Sequence, residues 1–396
     1  MTTTQTPAEA AVLMNTYARQ PVTFERGHGV WLRDTEGTEY IDLVGGLAVN
    51  VLGHAHPAVQ RTLAEQSQRL LHVSNLYHTH EQVELAQLLT GSAFDARVFF
   101  CNSGAEANET AIKIARKWGR LRRNGATTIV VAEGAFHGRT TGALAATANP
   151  AYREPFEPLL PGFRRVPFND VQALGAAIDG DTCAVLLEPI QGESGVHPLD
   201  LGALRKIRAL CDQRGVLLIL DEIQSGMGRT GAWWAHQHEG VVPDVMTVAK
   251  GLANGVPIGA VLATSRADVL TPGDHGSTFG GNPLACAVAT TVLRIIDEEH
   301  LLRNAADAGE HLSEALQALR DSGAPIDHVR GRGLMLGVGL GAPVARRVAE
   351  AALRHGLIVN AIGDDTLRLL PPLIISHQEI DESMRRLSNA FAVLGS

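Results

Sequence analysis

The chain has 396 residues, 45% of them hydrophobic and 19% charged, which is the composition of a folded globular protein and longer than a single core spans, so two lobes are expected. Lys and Arg number 34 against 42 Asp and Glu, a net charge of -8, and no dense basic run forms, which argues against nucleic acid as a partner. Four widely spaced cysteines, Cys101, Cys183, Cys211 and Cys286, make no CxxC pair, which argues against a disulfide framework or a structural zinc. The N-terminal stretch MTTTQTPAEAAVLMNTYARQ has no basic region followed by a long apolar run, and no later window approaches the roughly 20 apolar residues of a membrane span. A cytoplasmic location and no membrane partner are expected.

In chain order, VTFERGHGVWLRDTEGTEYIDL reads as a hairpin turning at Thr35-Glu36-Gly37. From Arg97, short apolar runs alternate with helical periods: RVFF (97–100), TTIVVA (127–132), CAVLLE (183–188), VLLILD (216–221), DVMTVA (244–249) and AVLAT (260–264). Strands so continuously apolar are buried on both faces, as in a parallel sheet between helices. LGALRKIRALCDQR and VARRVAEAALRH read as helices closed by Gly215 and Gly356. After residue 290 come a long helical stretch, HLLRNAADAGEHLSEALQALRDSG, and strands around VRGRGLMLGVGL and TLRLLPPLII. The class is α/β: a large domain over residues 56–289 with a mainly parallel sheet flanked by helices, and a smaller α/β domain built from 1–55 and 290–396.

Two polar residues end adjacent apolar strands. Asp221 closes VLLILD and Lys250 follows DVMTVA. Singly, each reads as an ordinary strand-end or solvated side chain. Together, at the carboxyl ends of an open α/β sheet, they are the pair a pyridoxal-phosphate site needs. A lysine amine holds that cofactor as an imine and then moves the proton, while an aspartate keeps the pyridine nitrogen protonated. FFCNSGAEANETAIKIARKW passes from a strand through Ser103-Gly104 into a helix near Ala105, whose free amides suit a phosphate; a plain Ser cap with Glu106 as its capping-box partner explains the same residues. Gly226-Met227-Gly228-Arg229-Thr230-Gly231 matches the dinucleotide fingerprint, but no helix pattern opens directly on it. The pairs His54/His56 and His78/His80 lack a third ligand at a diagnostic spacing, so no metal is expected.

FFCNSGAEANETAIKIAR, AFHGRT, VLLEPIQGESGV, LLILDEIQSGMGRTG, MTVAKGLANGVPIGA and GSTFGGNP, in that order, resemble the class III, fold type I aminotransferases from about Val22 onward. Within that class, FERGHGVWLRDTEGTEYIDLVGGLAVNVLGHAHP and FEPLLPGFRRVPFND most resemble acetylornithine aminotransferases. The resemblance implies pyridoxal 5'-phosphate as cofactor, with Lys250 as the Schiff-base lysine and Asp221 as the pyridinium partner. It implies Gln224 at the ring hydroxyl, Ile223 and Phe136 on the two ring faces, and Ser103, Gly104 and Ala105 near the phosphate. It gives Thr278, with Ser277 beside it, to the neighbouring subunit's site, so that a homodimer is the catalytic unit. It places Arg139 and Arg368 on substrate carboxylates, with Glu193 opposite Arg368. Ser194 and His137 depart from the usual pattern or fill a permissive position, and neither touches a role so assigned. GLAVNVLGH lacks the tyrosine that resembles the substrate residue of ornithine aminotransferases, which counts against free ornithine.

The expected reaction is therefore amino transfer from N2-acetyl-L-ornithine to 2-oxoglutarate. Succinylornithine, succinyl-diaminopimelate, 4-aminobutyrate and ornithine aminotransferases are alternatives on the same site. An aminomutase would not need Arg368, and a mere cofactor binder would not need Lys250.

Overall fold

The computed structural model describes residues 12–394; the first eleven residues, part of the segment read above as lacking a leader, and the last two lie outside it. A meander opens the fold with β1 (Phe24–His28), β2 (Trp31–Asp34) and β3 (Glu39–Asp42), each antiparallel to the next. The β2–β3 turn is the expected one. Asp34 Oδ1 accepts from the amides of Glu36 and Thr38 at 3.0 and 2.8 Å, and Gly37 takes a φ of +89° that disfavours any side chain.

Next come β4 (Arg97–Cys101), β5 (Thr128–Ala132), β6 (Phe163–Val166) and β7 (Thr182–Leu187), the short pair β8 (Ile190–Gln191) and β9 (His197–Pro198), and then β10 (Leu217–Asp221), β11 (Val245–Val248) and β12 (Gly259–Ala263). Seven of them make one sheet in the order β4-β12-β11-β10-β7-β5-β6. Ile219, Leu186 and Ile129 face one apolar cluster, and their neighbours Leu218, Val185 and Val130 face another. Both faces of the sheet are covered, which is why these runs do not alternate with polar residues.

All six expected strands form, with two differences of detail. β12 runs antiparallel to both neighbours, because residues 249–258 are too short for the crossover of roughly a dozen residues or more that a parallel return requires. β6, FRRV, carries two arginines and hides from an apolar search; among the described residues it lies at the sheet edge, paired with β5 alone, where charge is tolerated.

The chain ends with β13 (Ile326–Arg332), β14 (Met335–Leu340), β15 (Leu357–Ile358), β16 (Asn360–Ile362) and β17 (Thr366–Leu369). β13, β14, β17 and β16 form a second sheet, whereas β15 joins the opening meander, pairing Leu357 with Ile41. The helix Leu301–Asp321 forms as expected, as do Ala203–Arg214, with Gly215 left-handed, and Ala345–Arg354, followed by Gly356 at φ +73°. The position 289/290 lies inside the continuous helix Pro283–Glu298, and one apolar cluster runs across it from Ile41 through Met246 and Ala289 to Leu387.

The GMGRTG segment opens no helix. It forms a buried loop whose Arg229 donates to the carbonyls of Leu334 and Pro371, tying the large sheet's loops to the C-terminal strands. Burial, with no carboxylate partner among the described residues, pushes the Arg229 guanidinium down to about 9.

Candidate active site

The carboxyl ends of β7, β10 and β11 face a cavity of about 450 Å³, and the N-terminus of the helix Gly104–Arg122 closes its other side. Ser103, Gly104, Ala105, Phe136, Arg139, Asp221, Ile223, Gln224 and Lys250 all line it. Residues separated by up to 147 positions thus meet in one chamber, the arrangement expected where open sheets bind ligands.

Asp221 is 4% exposed and fully engaged on one side. Its Oδ2 accepts from Asn108 Nδ2 at 2.7 Å and stands 2.8 Å from His137 Nδ1, while Oδ1 accepts from the Ile223 amide at 3.1 Å. Asn108 is held in turn by the Thr247 hydroxyl at 2.9 Å. A buried carboxylate kept by three donors is a fixed negative charge on the cavity wall.

Lys250 directly follows Ala249, on the link from β11 to β12, with a φ of +42°. A side chain rarely adopts that backbone, and the cost, on the order of 1–3 kcal/mol, persists only where the surroundings impose it. Burial is the largest influence on its amine and lowers its pKa; Glu193 opposes this and Arg368 adds to it. A lysine so depressed is more readily a free amine near neutral pH than a solvated one.

The helix beginning at Gly104 is capped by Ser103, whose hydroxyl accepts from the Glu106 amide at 3.2 Å. Glu106 reaches past Ser103 to the Asn102 amide at 2.7 Å, so the expected capping box is offset by one residue. The amides of Gly104 and Ala105 have no acceptor among the described residues. A Cβ on Gly104 would meet Ile223 Cδ1 at 2.8 Å, so bare backbone is needed there. Free amides at a helix start, an anchored carboxylate, a depressed lysine and an aromatic wall fit a phosphorylated pyridine aldehyde.

Arg368 on β17 is 2% exposed and donates to Glu193 Oε1 at 2.6 Å and to Gln224 Oε1 at 3.2 Å. Asn360 holds its other face at 3.1 and 2.8 Å. Burial alone would raise the Glu193 carboxyl, but Arg368 and Lys250 outweigh it and hold its pKa below the usual value. Arg139 is exposed and lies 3.6 Å over the Tyr152 ring.

The class III aminotransferase family model matches residues 13–391. The chain belongs to the class III aminotransferases. Its cofactor is pyridoxal 5'-phosphate. It is 49% identical over 384 residues to the acetylornithine aminotransferase of Gloeobacter violaceus, covering 96% of each chain. It is 51% identical to the acetylornithine aminotransferase of Mycobacterium tuberculosis, covering 94% of this chain and 92% of that one. Among solved structures, the ornithine aminotransferase of Toxoplasma gondii, described with PLP at partial occupancy in its active site, superposes with a TM-score of 0.94 at 34% identity, covering 98% and 93%. The N-acetylornithine aminotransferase of Stenotrophomonas maltophilia gives 0.84 at 40% identity, covering 96% and 97%.

Three residues of this aminotransferase site escaped the sequence. His137, read as a permissive position touching no assigned role, is in fact buried against Asp221; burial lowers its pKa but the Asp221 carboxylate more than offsets this and leaves it raised. Its Nε2 is buried without a partner among the described residues. Asn108 sits inside a helix pattern, where nothing but its polarity at a core position marks it. Glu188 directly follows β7, close to where Asp221 ends β10, and its Oε2 accepts from the Phe136 amide at 3.0 Å. Ser277 Oγ accepts from Asn102 Nδ2 at 3.0 Å, whereas the Ser194 hydroxyl donates to Gln191 Oε1 at 3.1 Å. Thr278 stands apart from the cavity, exposed beside His72 and Asn75.

Burial lifts the Glu188 carboxyl to about 7. A carboxyl raised in the folded state favours folding below its unfolded value of 4.5 and loses that contribution as pH climbs to about 7. Glu188→Gln therefore raises the melting temperature at pH 8 and changes it little at pH 5; equal shifts at both pH values would contradict the burial argument.

Proposed function

We propose that this aminotransferase moves the side-chain amine of N2-acetyl-L-ornithine to 2-oxoglutarate, giving N-acetyl-L-glutamate 5-semialdehyde and L-glutamate. The observation that carries the reading is the Arg368–Glu193 contact of 2.6 Å beside Lys250. Acetylornithine presents its reacting amine on a carbon without a carboxylate, whereas glutamate presents its amine next to one. A buried cation is costly when unpaired. Glu193 neutralises Arg368 in the first half-reaction and leaves it to the α-carboxylate of glutamate in the second. Arg139 holds the distal carboxylate in both, its guanidinium fork stacked on Tyr152.

When bound, pyridoxal 5'-phosphate supplies the electron sink that lets an amine-bearing carbon lose a proton. The chain's residues do the rest. Gly104 and Ala105 hold the phosphate with their amides. Ile223 and Phe136 keep the two ring faces dry. Gln224 meets the ring hydroxyl, and Asp221, fixed by Asn108 and His137, keeps the ring nitrogen protonated. Lys250 anchors the cofactor and carries the proton.

A donor panel with 2-oxoglutarate tests the substrate: kcat/KM should be highest for acetylornithine among acetylornithine, ornithine and 4-aminobutyrate, and a preference for either of the others sinks the reading. Single-turnover kinetics test the exchange of partners. Glu193→Ala should slow the acetylornithine half-reaction about tenfold and spare the glutamate half, while Arg368→Ala should damage chiefly the glutamate half. Equal losses in both halves for Glu193→Ala would refute it.

We also propose a homodimer in which Thr278 reaches the neighbouring subunit's cofactor. Its exposure, next to exposed Tyr77 and Phe279, supports an apolar contact face here. A monomer in sedimentation equilibrium at micromolar concentration would refute that. The four buried free cysteines are in keeping with a cytoplasmic enzyme, and no helix among the described residues is long and apolar enough to cross a membrane.

A further inference from the structure

Glu193 sits in the turn, residues 192–196, that joins β8 to β9, and the carbonyls of the residues after it are all held. His197 Nε2 faces the Ser194 carbonyl at 3.1 Å and must donate there, since a carbonyl only accepts. Arg330 on β13 donates from its Nε to the carbonyls of Gly195 and Val196, at 2.9 and 3.1 Å. Val196 is buried with a φ of +61°, a backbone that a β-branched residue takes only where its surroundings impose it.

The second sheet shows how one arginine reaches this turn. Arg330 lies opposite Gly337 on β14, and Gly337 opposite Arg368 on β17. Residues directly opposite share a face, so the two arginines stand in one row with a bare glycine between them. The turn rests on that glycine: a Cβ there would meet the Gly195 carbonyl oxygen at 2.6 Å and Val196 Cβ at 3.0 Å. Arg330 also gives its Nη2 to the Thr366 hydroxyl at 3.2 Å, two residues before Arg368 on the same strand. The far end of the turn is thus fastened to the strand whose arginine its near end meets through Glu193, at 2.6 Å. Besides Arg368, only Gln224 Nε2 donates to the Glu193 carboxylate among the described residues, at 3.3 Å, so the backbone seat decides where that carboxylate stands.

We propose that Arg330 is a positioning residue: by seating the turn 192–196 on the sheet, it sets the Glu193 carboxylate against Arg368 and so governs the half-reaction of the donor whose reacting carbon bears no carboxylate. The inference rests on the exchange of partners proposed above. Arg330 acts only through Glu193, and losing it frees the backbone past Glu193 while Glu193, Arg368 and Lys250 all remain.

The wild-type holoenzyme is compared with Arg330→Met, Arg330→Lys, Glu193→Ala and the double variant of Arg330→Met and Glu193→Ala in single-turnover half-reactions. Arg330→Met should slow the acetylornithine half about fivefold and leave the glutamate half within about twofold of wild type. Arg330→Lys should recover part of the loss, and the double variant should be no slower than Glu193→Ala alone. A normal acetylornithine half in Arg330→Met overturns the proposal. Equal losses in both halves, or a further loss in the double variant, overturn it too, since a merely structural role would give them. A second measure needs no turnover. The Lys250 amine is faced by Glu193, Asp221 and Glu188 and by Arg368, and the Glu193 charge helps it keep its proton. The pH at which the visible absorbance of the resting holoenzyme changes should therefore fall by about half a pH unit in Arg330→Met, in the same direction as in Glu193→Ala. An unmoved midpoint overturns the proposal. If Glu193→Ala itself spared the acetylornithine half, the exchange of partners would fail, while the absorbance midpoint would still decide whether Arg330 seats Glu193. Should Arg330→Met not fold, Gly337→Ala displaces the same turn through the Gly195 carbonyl and should reproduce the slowed acetylornithine half and the lowered midpoint; wild-type values of both overturn the proposal.

Discussion

Replacing Lys250 by alanine is expected to lower turnover by about 10⁴-fold or more, the largest effect of any single change in the cavity. General acid–base catalysis alone supplies roughly 10²–10⁴-fold, and here the same amine is also the covalent anchor. The variant should still fold. Lys250 sits at a left-handed φ, so alanine keeps the strain but adds none, and the neighbours Gly251, Leu252 and Ala253 remain buried. Borohydride treatment of the wild-type holoenzyme followed by peptide mapping should find the cofactor on the peptide containing Lys250. Label on another lysine would end the assignment. Added small primary amines should restore part of the lost rate in Lys250→Ala, because the missing group is a proton carrier of defined position.

Asp221→Ala should lower turnover roughly 10²–10³-fold, the usual loss on removing one preorganised electrostatic stabiliser. It should also destabilise the fold, because the His137 Nδ1 and one of the two Asn108 amide N–H groups, the other being held by the His137 carbonyl, lose their acceptor in a dry interior, at about 1–3 kcal/mol for each unsatisfied group. Asp221→Asn separates the two effects. The amide keeps the volume and one acceptor oxygen but not the charge, so activity should remain low while the melting temperature largely recovers. Near-normal turnover in Asp221→Asn would show that the charge on this strand end has no part in the chemistry.

Much of this architecture is written in apolar runs. β5, β7, β10 and β11 are buried on both faces, so their sequences carry no competing polar pattern. β6 is not legible for the opposite reason, since two consecutive arginines, Arg164 and Arg165, stand on its two faces and leave neither an apolar run nor an alternation. Strand direction is a different matter: AVLAT looks the same whichever way it runs, and only the length of the link carrying Lys250 decides it. In the site, Asp221 and Lys250 stand out because each ends an apolar run, whereas His137 and Asn108 gain meaning only once Asp221 has been placed between them. Glu188 escaped although it follows an apolar run much as Asp221 closes one, so the strand-end rule applied to CAVLLE would have found it.

The pairing of β15 with β3 joins Ile41 to Leu357, more than 300 positions apart. During synthesis the opening meander must therefore wait, one edge unpaired, until almost the whole chain has emerged. The central sheet can assemble meanwhile from segments closer together, since contacts between neighbouring stretches form before distant ones. Arg368 lies beyond β15 in the chain, so the cation proposed to meet the glutamate carboxylate is among the last groups to arrive, after the chamber lined by Asp221 and Lys250 can already have taken shape.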